Sequence, residues 1–198
     1  MTSTTDDSKS YFPLAGTATD GWTKDDSATA TCYCGTVQLK VPTKAPGLIN
    51  TFICHCTDCR KITASMFATN FTIKDTHLIH IRGQENLTAY SQSKTITTGN
   101  TMTNYFCKTC GTLMYRIGPK GVFLRTGTVD DFHLHETKLK PKMEIFCKDR
   151  VEWLKAVEGT EELEVMGSSG PRIGEEKDVD REGGDGNANA FAVLQGKL

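Results

Sequence analysis

Seven of the eight cysteines in this chain fall into three tight clusters: Cys32 and Cys34 form CxC, Cys54, Cys56 and Cys59 form CxCxxC, and Cys107 and Cys110 form CxxC, while Cys147 stands alone. The N-terminal stretch "MTSTTDDSKSYFPLAG" has no basic start followed by an apolar run, so it does not read as a secretory signal. In a reducing compartment, thiols at these spacings serve as metal ligands or reactive groups rather than as a disulfide framework. Any fold for this chain must therefore gather cysteine pairs that are far apart in sequence.

A tetrahedral zinc site takes four ligands, with Zn–S distances of about 2.3 Å. Cys32, Cys34, Cys107 and Cys110 make up such a set, and each pair is followed directly by a glycine, Gly35 or Gly111. Glycine suits the tight turn that wraps backbone amides toward sulfur. The two knuckles are expected to hold a structural zinc that ties the first long strand to the hairpin after Tyr105; the alternative is four reduced, buried cysteines without metal. Cys54, Cys56 and Cys59 supply three thiolates and leave a position open, the pattern of catalytic zinc. Against this stands a closed site completed by His55 or Cys147. His55 lies between ligands, and in an extended segment its side chain points to the opposite side.

The remaining pattern is that of a β protein. Val37, Leu39 and Val41 alternate with polar neighbours, and "LINTFI", "SMFATNFTI", "HLIHI", "LTAYS", "TNYFC", "TLMYRI" and "VFLRTGTV" are further strand-like runs broken by turn signals. One helical turn is expected in "TDCRKITAS" and a longer helix in "KDRVEWLKAV". The length of 198 residues suits one domain. Composition divides it into a loosely ordered arm over residues 1–27, a folded unit over 28–166 and a tail over 167–198 rich in Gly and acidic residues. The closing "FAVLQGKL" is apolar enough to dock. A net charge of -1 gives no general attraction to nucleic acid or anionic membranes, and no window has the length of a membrane span. A cytoplasmic protein with a small-molecule partner is the expectation; the oligomeric state is not legible.

Together "CYCGTVQLKV", "CHCTDCRK", "YFCKTCGTLMYR" and "VFLRTGTVDD" resemble the glutathione-dependent formaldehyde-activating enzyme family, which includes centromere protein V. The resemblance runs from about Thr31 to Trp153. It implies an all-β, zinc-containing β-tent fold with short helices. It also implies two zinc ions per chain, a structural one on Cys32, Cys34, Cys107 and Cys110 and a catalytic one on Cys54, Cys56 and Cys59. The implied chemistry joins the thiol of glutathione to formaldehyde, or runs in reverse as a carbon-sulfur lyase. Many members carry a histidine shortly before a tryptophan near the domain's end. Here the sequence is "KMEIFCKDRVEW", with Glu144 about where that histidine would stand, so the electrophile is open to differ, up to a specialised metabolite.

A glutathione-like substrate carries carboxylates, which call for Arg or Lys. Arg60 and Lys61, next to the triplet in sequence, are the first choice, and Arg116 and Arg125 the second. His55 is read as a proton shuttle or an orienting residue. Glu144, beside a thiolate-rich site, is expected to have its pKa raised and to act as an acid. His77, His80, His133 and His135 read as surface or turn residues, Asp130 and Asp131 as turn caps, Met102, Met114 and Met143 as packing residues and Trp153 as an anchor. Two other function classes fit the cysteines: a zinc-built interaction module, which the acidic "EEKDVDREGGDG" argues against for nucleic acid, and a redox sensor that releases zinc.

Overall fold

A computed structural model of the chain describes residues 9–164, except 14 and 97. The tail expected over 167–198, with its apolar end, lies outside the described residues. Among the described residues, twelve strands and two short α-helices follow one another: β1 (Thr23–Lys24), β2 (Ser27–Thr31), β3 (Gln38–Pro42), β4 (Leu48–Cys54), α1 (Thr57–Thr63), β5 (Ala68–Ile73), β6 (Ile79–Arg82), β7 (Leu87–Gln92), β8 (Met102–Cys107), β9 (Leu113–Gly118), β10 (Gly121–Arg125), α2 (His133–Glu136), β11 (Met143–Ile145) and β12 (Glu161–Leu163). The expected all-β architecture is borne out. One sheet has the order β1-β2-β3-β6 and the other β12-β11-β4-β5-β10-β9-β8-β7. Pairing is antiparallel except at β11, which runs parallel to both β4 and β12.

Asp25 and Asp26 join β1 to β2, both with positive φ, the backbone of a two-residue turn whose twist matches that of the strands. β2, "SATAT", carries no strand signal in the sequence, since it has no large apolar residue. Its Ala28 and Ala30 are nonetheless fully buried, since small side chains let the two sheets approach closely. Facing strands place Ala28 opposite Val41 and Ala30 opposite Leu39. These pack with Phe71, Ile73, Tyr115, Val122 and Leu124 of the larger sheet in the main core, and each large buried side chain contributes about 1.5–3 kcal/mol. Met102, Met114 and Met143 are buried, as expected of packing residues.

The helix expected in "KDRVEWLKAV" is absent. A single 3-10 turn, Cys147–Asp149, is followed by irregular chain, with Arg150 extended at ψ 136° and the Val157 N–H donating to Glu144 at 2.6 Å instead of to a helical carbonyl. That tertiary bond outweighs a modest helical propensity. Trp153, expected to anchor this segment, is 70% exposed.

Candidate functional site

The two faces of the larger sheet have different tasks. One packs in the main core. On the other, strand register sets Cys54 opposite Ala68, Phe52 and Asn70 in a row with Arg125, and Asn50 and Thr72 in a row with Phe123, Arg116 and Asn104. A second, smaller apolar cluster forms over this face from Phe52, Cys54, Cys59, Ala68, Met143 and Ile145, with Phe123 and Phe146 packed against it.

Each cysteine group is closed up by local structure. Cys32, Cys34, Cys107 and Cys110 bring their sulfurs within 4.8 Å of one another. The first knuckle turns at Gly35, with φ 78°, and the second at Gly111, with φ 73°. The Val37 N–H points at Cys32 Sγ (3.2 Å), and Asn86 Nδ2 donates to Cys107 Sγ (3.3 Å). Burial pushes the Cys32 thiol up to about 12. At Cys110 burial also pushes upward, but hydrogen bonds from Thr112 and Cys34 outweigh it and the thiol falls to about 6.

Cys54 ends β4, Cys56 is the N-cap residue of α1, and Cys59 lies in that helix's first turn. Their sulfurs also lie within 4.8 Å of one another, with Cys54 and Cys56 at 3.4 Å. The Cys59 N–H donates to Cys56 Sγ, as an N-cap side chain requires. Sharing of protons with Cys56 and Cys59 raises the pKa of Cys54, while hydrogen bonds from Cys54 and Cys56 hold Cys59 well below the ordinary thiol range. The charges of Arg125 and Arg116 add to that lowering. Both cysteine groups therefore have the soft-donor chemistry and the compactness to hold a metal ion such as zinc.

Neither residue weighed as a fourth ligand joins the triplet's group. His55 is fully buried and turns its Nε2 to Glu144 Oε2 at 2.6 Å, while Cys147 Sγ reaches the Glu144 carbonyl. The expected upward shift of Glu144 does not occur. Burial alone would raise its pKa, but Val157 N–H, His55, Arg150 and Thr160 all donate to the carboxylate, and it lies below the ordinary value. Glu144 is a carboxylate at neutral pH, not a protonated acid.

Among the cations, Arg60 is committed to the Asp149 carbonyl and the Met66 sulfur, and Lys61 is exposed. Arg116 and Arg125 are instead buried on the triplet's face of the sheet. Asn70, which sequence reading did not single out, accepts a hydrogen bond from Arg125 Nη1. The available signal was alternation, since Asn70, Thr72, Arg116 and Arg125 are polar residues between core positions of their strands. Arg150, which holds Glu144, was also missed and carries no such signal. His80 and His135 are not surface residues. His80 is half-buried against the Tyr115 hydroxyl at 3.0 Å, and His135 stacks on Phe132 with its Nε2 at the Val129 carbonyl. Asp131 caps a turn, as expected, by accepting from the His133 N–H, and it also holds Tyr11 N–H and Thr23 Oγ1.

Comparison with known proteins adds three findings. The family model of the glutathione-dependent formaldehyde-activating enzyme matches residues 27–149. A Rhodobacter sphaeroides protein of known crystal structure is 28% identical, with the alignment covering 50% of this chain and 85% of that one at a TM-score of 0.41. No curated protein matches the sequence.

Proposed function

The chain belongs to the glutathione-dependent formaldehyde-activating enzyme family, and from that premise we propose that it is a cytoplasmic zinc enzyme of the carbon-sulfur lyase type, joining a thiol to a small electrophile or splitting the adduct. The observation that supports this reading is the convergence of Cys54, Cys56 and Cys59 with no fourth His, Cys, Asp or Glu of the described residues in their group. Three protein ligands beside an open position is the arrangement of catalytic zinc, while a closed set of four, as at Cys32, Cys34, Cys107 and Cys110, is structural. Zinc bound at the triplet supplies stabilisation of a thiolate near neutral pH and polarisation of a carbonyl.

The chain's own residues prepare that place. His55 and Glu144 lock the turn between β4 and α1, so that Cys54 and Cys56 present sulfur to one side. Phe52, Met143 and Ile145 exclude water around Cys54 and Cys59. Arg125 and Arg116 bring positive charge to a site rich in thiolate. In the proposed reaction the thiol sulfur bonds to the aldehyde carbon, the π pair of the carbonyl moves to oxygen, and the thiol proton ends on that oxygen; no oxidant or reductant is needed. Glutathione is the expected thiol. The test is exchange between formaldehyde and its glutathione adduct, followed by NMR, with zinc-loaded wild type and Cys56→Ser. Acceleration by wild type alone supports the reading. No acceleration with formaldehyde or with larger aldehydes, at full zinc content, overturns it.

A further inference from the structure

Arg116 and Arg125 are only 9% and 8% exposed, and buried guanidiniums are costly unless paired. Among the described residues Arg82 pairs with Asp20 and Arg150 with Glu144 and Glu162, while the less buried Arg60 donates to the Asp149 carbonyl. Arg116 and Arg125 have no carboxylate partner among the described residues. Arg125 Nε and Nη2 and Arg116 Nε lack any hydrogen-bond acceptor, and Thr72 Oγ1 and Asn104 Oδ1 on the same sheet face are also unpartnered. Asn70 fixes the Arg125 fork by accepting from Nη1. Three thiolates around a divalent ion leave one negative charge, and two guanidiniums bring two positive ones. The surplus is a single positive charge with free, directed N–H groups.

We propose that Arg116 and Arg125 form a subsite for a carboxylate carried by the electrophile itself, so that the aldehyde this site takes is a 2-oxo acid of the glyoxylate type rather than an uncharged aldehyde. The inference rests on the reading of the triplet as the reaction centre. Arg125 faces Asn70, which lies two residues along β5 from Ala68, the partner of Cys54, and its charge acts on Cys59, so an anion held by its unpartnered Nε and Nη2 would lie close to the reacting carbon. In glutathione several rotatable bonds separate the sulfur from either carboxylate, whereas in a 2-oxo acid the carboxylate is bonded directly to the carbonyl carbon. A planar carboxylate matches the guanidinium fork. Thiol addition to such an aldehyde keeps the atom and electron balance given above.

The test uses the full, zinc-loaded chain and oxamate, an unreactive isostere of a 2-oxo acid, with its neutral ethyl ester as control, measured by isothermal titration calorimetry. Oxamate is expected to bind at least about tenfold more tightly than the ester, and Arg116→Gln and Arg125→Gln each to weaken it about tenfold or more. Arg82→Gln should leave binding unchanged. Zinc content and a thermal melt check each variant, and Arg125→Lys, which keeps the charge but loses the fork, is expected to show the same loss if a Gln variant does not fold. Wild type with no preference for oxamate over its ester, or arginine variants that bind it normally, overturns the subsite. The two readings fail separately. Oxamate binding without thiol-adduct chemistry on any aldehyde keeps the subsite and sinks the lyase, whereas equal kcat/KM for formaldehyde and glyoxylate with no oxamate preference does the reverse.

Discussion

Glu144 is the acid on which the end of the domain hangs, and replacing it with glutamine tests that role without changing its shape. The side chain is 1% exposed. Oε1 accepts from Val157 N–H (2.6 Å) and Thr160 Oγ1 (3.1 Å), and Oε2 faces His55 Nε2 (2.6 Å) and Arg150 Nη1 (3.1 Å). In Glu144→Gln the amide oxygen can still serve the first pair. His55 Nε2 can accept from the new NH2 group by changing tautomer, but the Arg150 guanidinium cannot, and Arg150 is left without one of its two acids. Breaking a buried pair on one side costs about 3–5 kcal/mol. Because Arg150 keeps Glu162 and is partly exposed, the low end applies, about 3 kcal/mol. Glu162→Gln, at an acid 46% exposed, should cost about 0–1 kcal/mol. Urea denaturation of the zinc-loaded proteins measures both. Acidity gives a second reading: the carboxyl of Glu144 lies lower in the folded protein than its ordinary 4.5, so its stabilisation is complete above that value and is lost as pH falls through the folded pKa. Below about pH 4.5 wild type should therefore lose stability more steeply than Glu144→Gln. A loss under about 1 kcal/mol at neutral pH, or parallel acid profiles, would refute the account of Glu144 as a charged anchor.

Cys107→Ser should unfold the domain or abolish soluble expression, because Cys107 is 1% exposed within the main core and structural zinc contributes folding free energy directly; Cys59→Ser should give a folded protein holding one zinc. Equal losses in thermal melts and zinc counts would remove the division of labour between the sites. Gly83→Ala should cost about 3 kcal/mol or prevent folding, since φ is +72° and a Cβ would lie 2.2 Å from the Thr36 carbonyl oxygen; a melt within about two degrees of wild type would contradict this. Asp131→Ala should release Tyr11 N–H and Thr23 Oγ1, seen as faster amide exchange over residues 11–24 with the exchange of β5 unchanged.

The cysteine groupings were legible because ligand chemistry constrains spacing, and spacing survives in the sequence. The strands with alternating large residues, such as β3 and β10, were legible for a similar reason. What stayed hidden depends on partners remote in sequence. β2 is buried through small residues that only a close sheet-to-sheet approach makes meaningful. The segment after Cys147 reads as helical until Glu144 takes its Val157 N–H. Arg60 and Lys61 looked best because they adjoin the triplet in sequence, yet a helix carries neighbouring residues to different sides. Arg125 comes to the triplet's face from β10, an arrangement set by register with Asn70. The charge of Glu144 is not legible in its neighbourhood in sequence, because its four donors come from three separate parts of the chain.

The parallel pairing of β11 with β4 carries a consequence for biosynthesis. β4 delivers Cys54 as the ribosome passes the first third of the chain, but the strand that completes its hydrogen bonding, with Ile145 opposite Cys54, is made much later. Until then one edge of β4 is bare and the triplet's thiols lack their roof of Met143 and Ile145. The nascent protein therefore passes through a period in which soft-metal ligands are open to any thiophilic ion or oxidant. A metal ion taken up at the triplet before β11 is made would meet Cys54 and Cys59 without that cover.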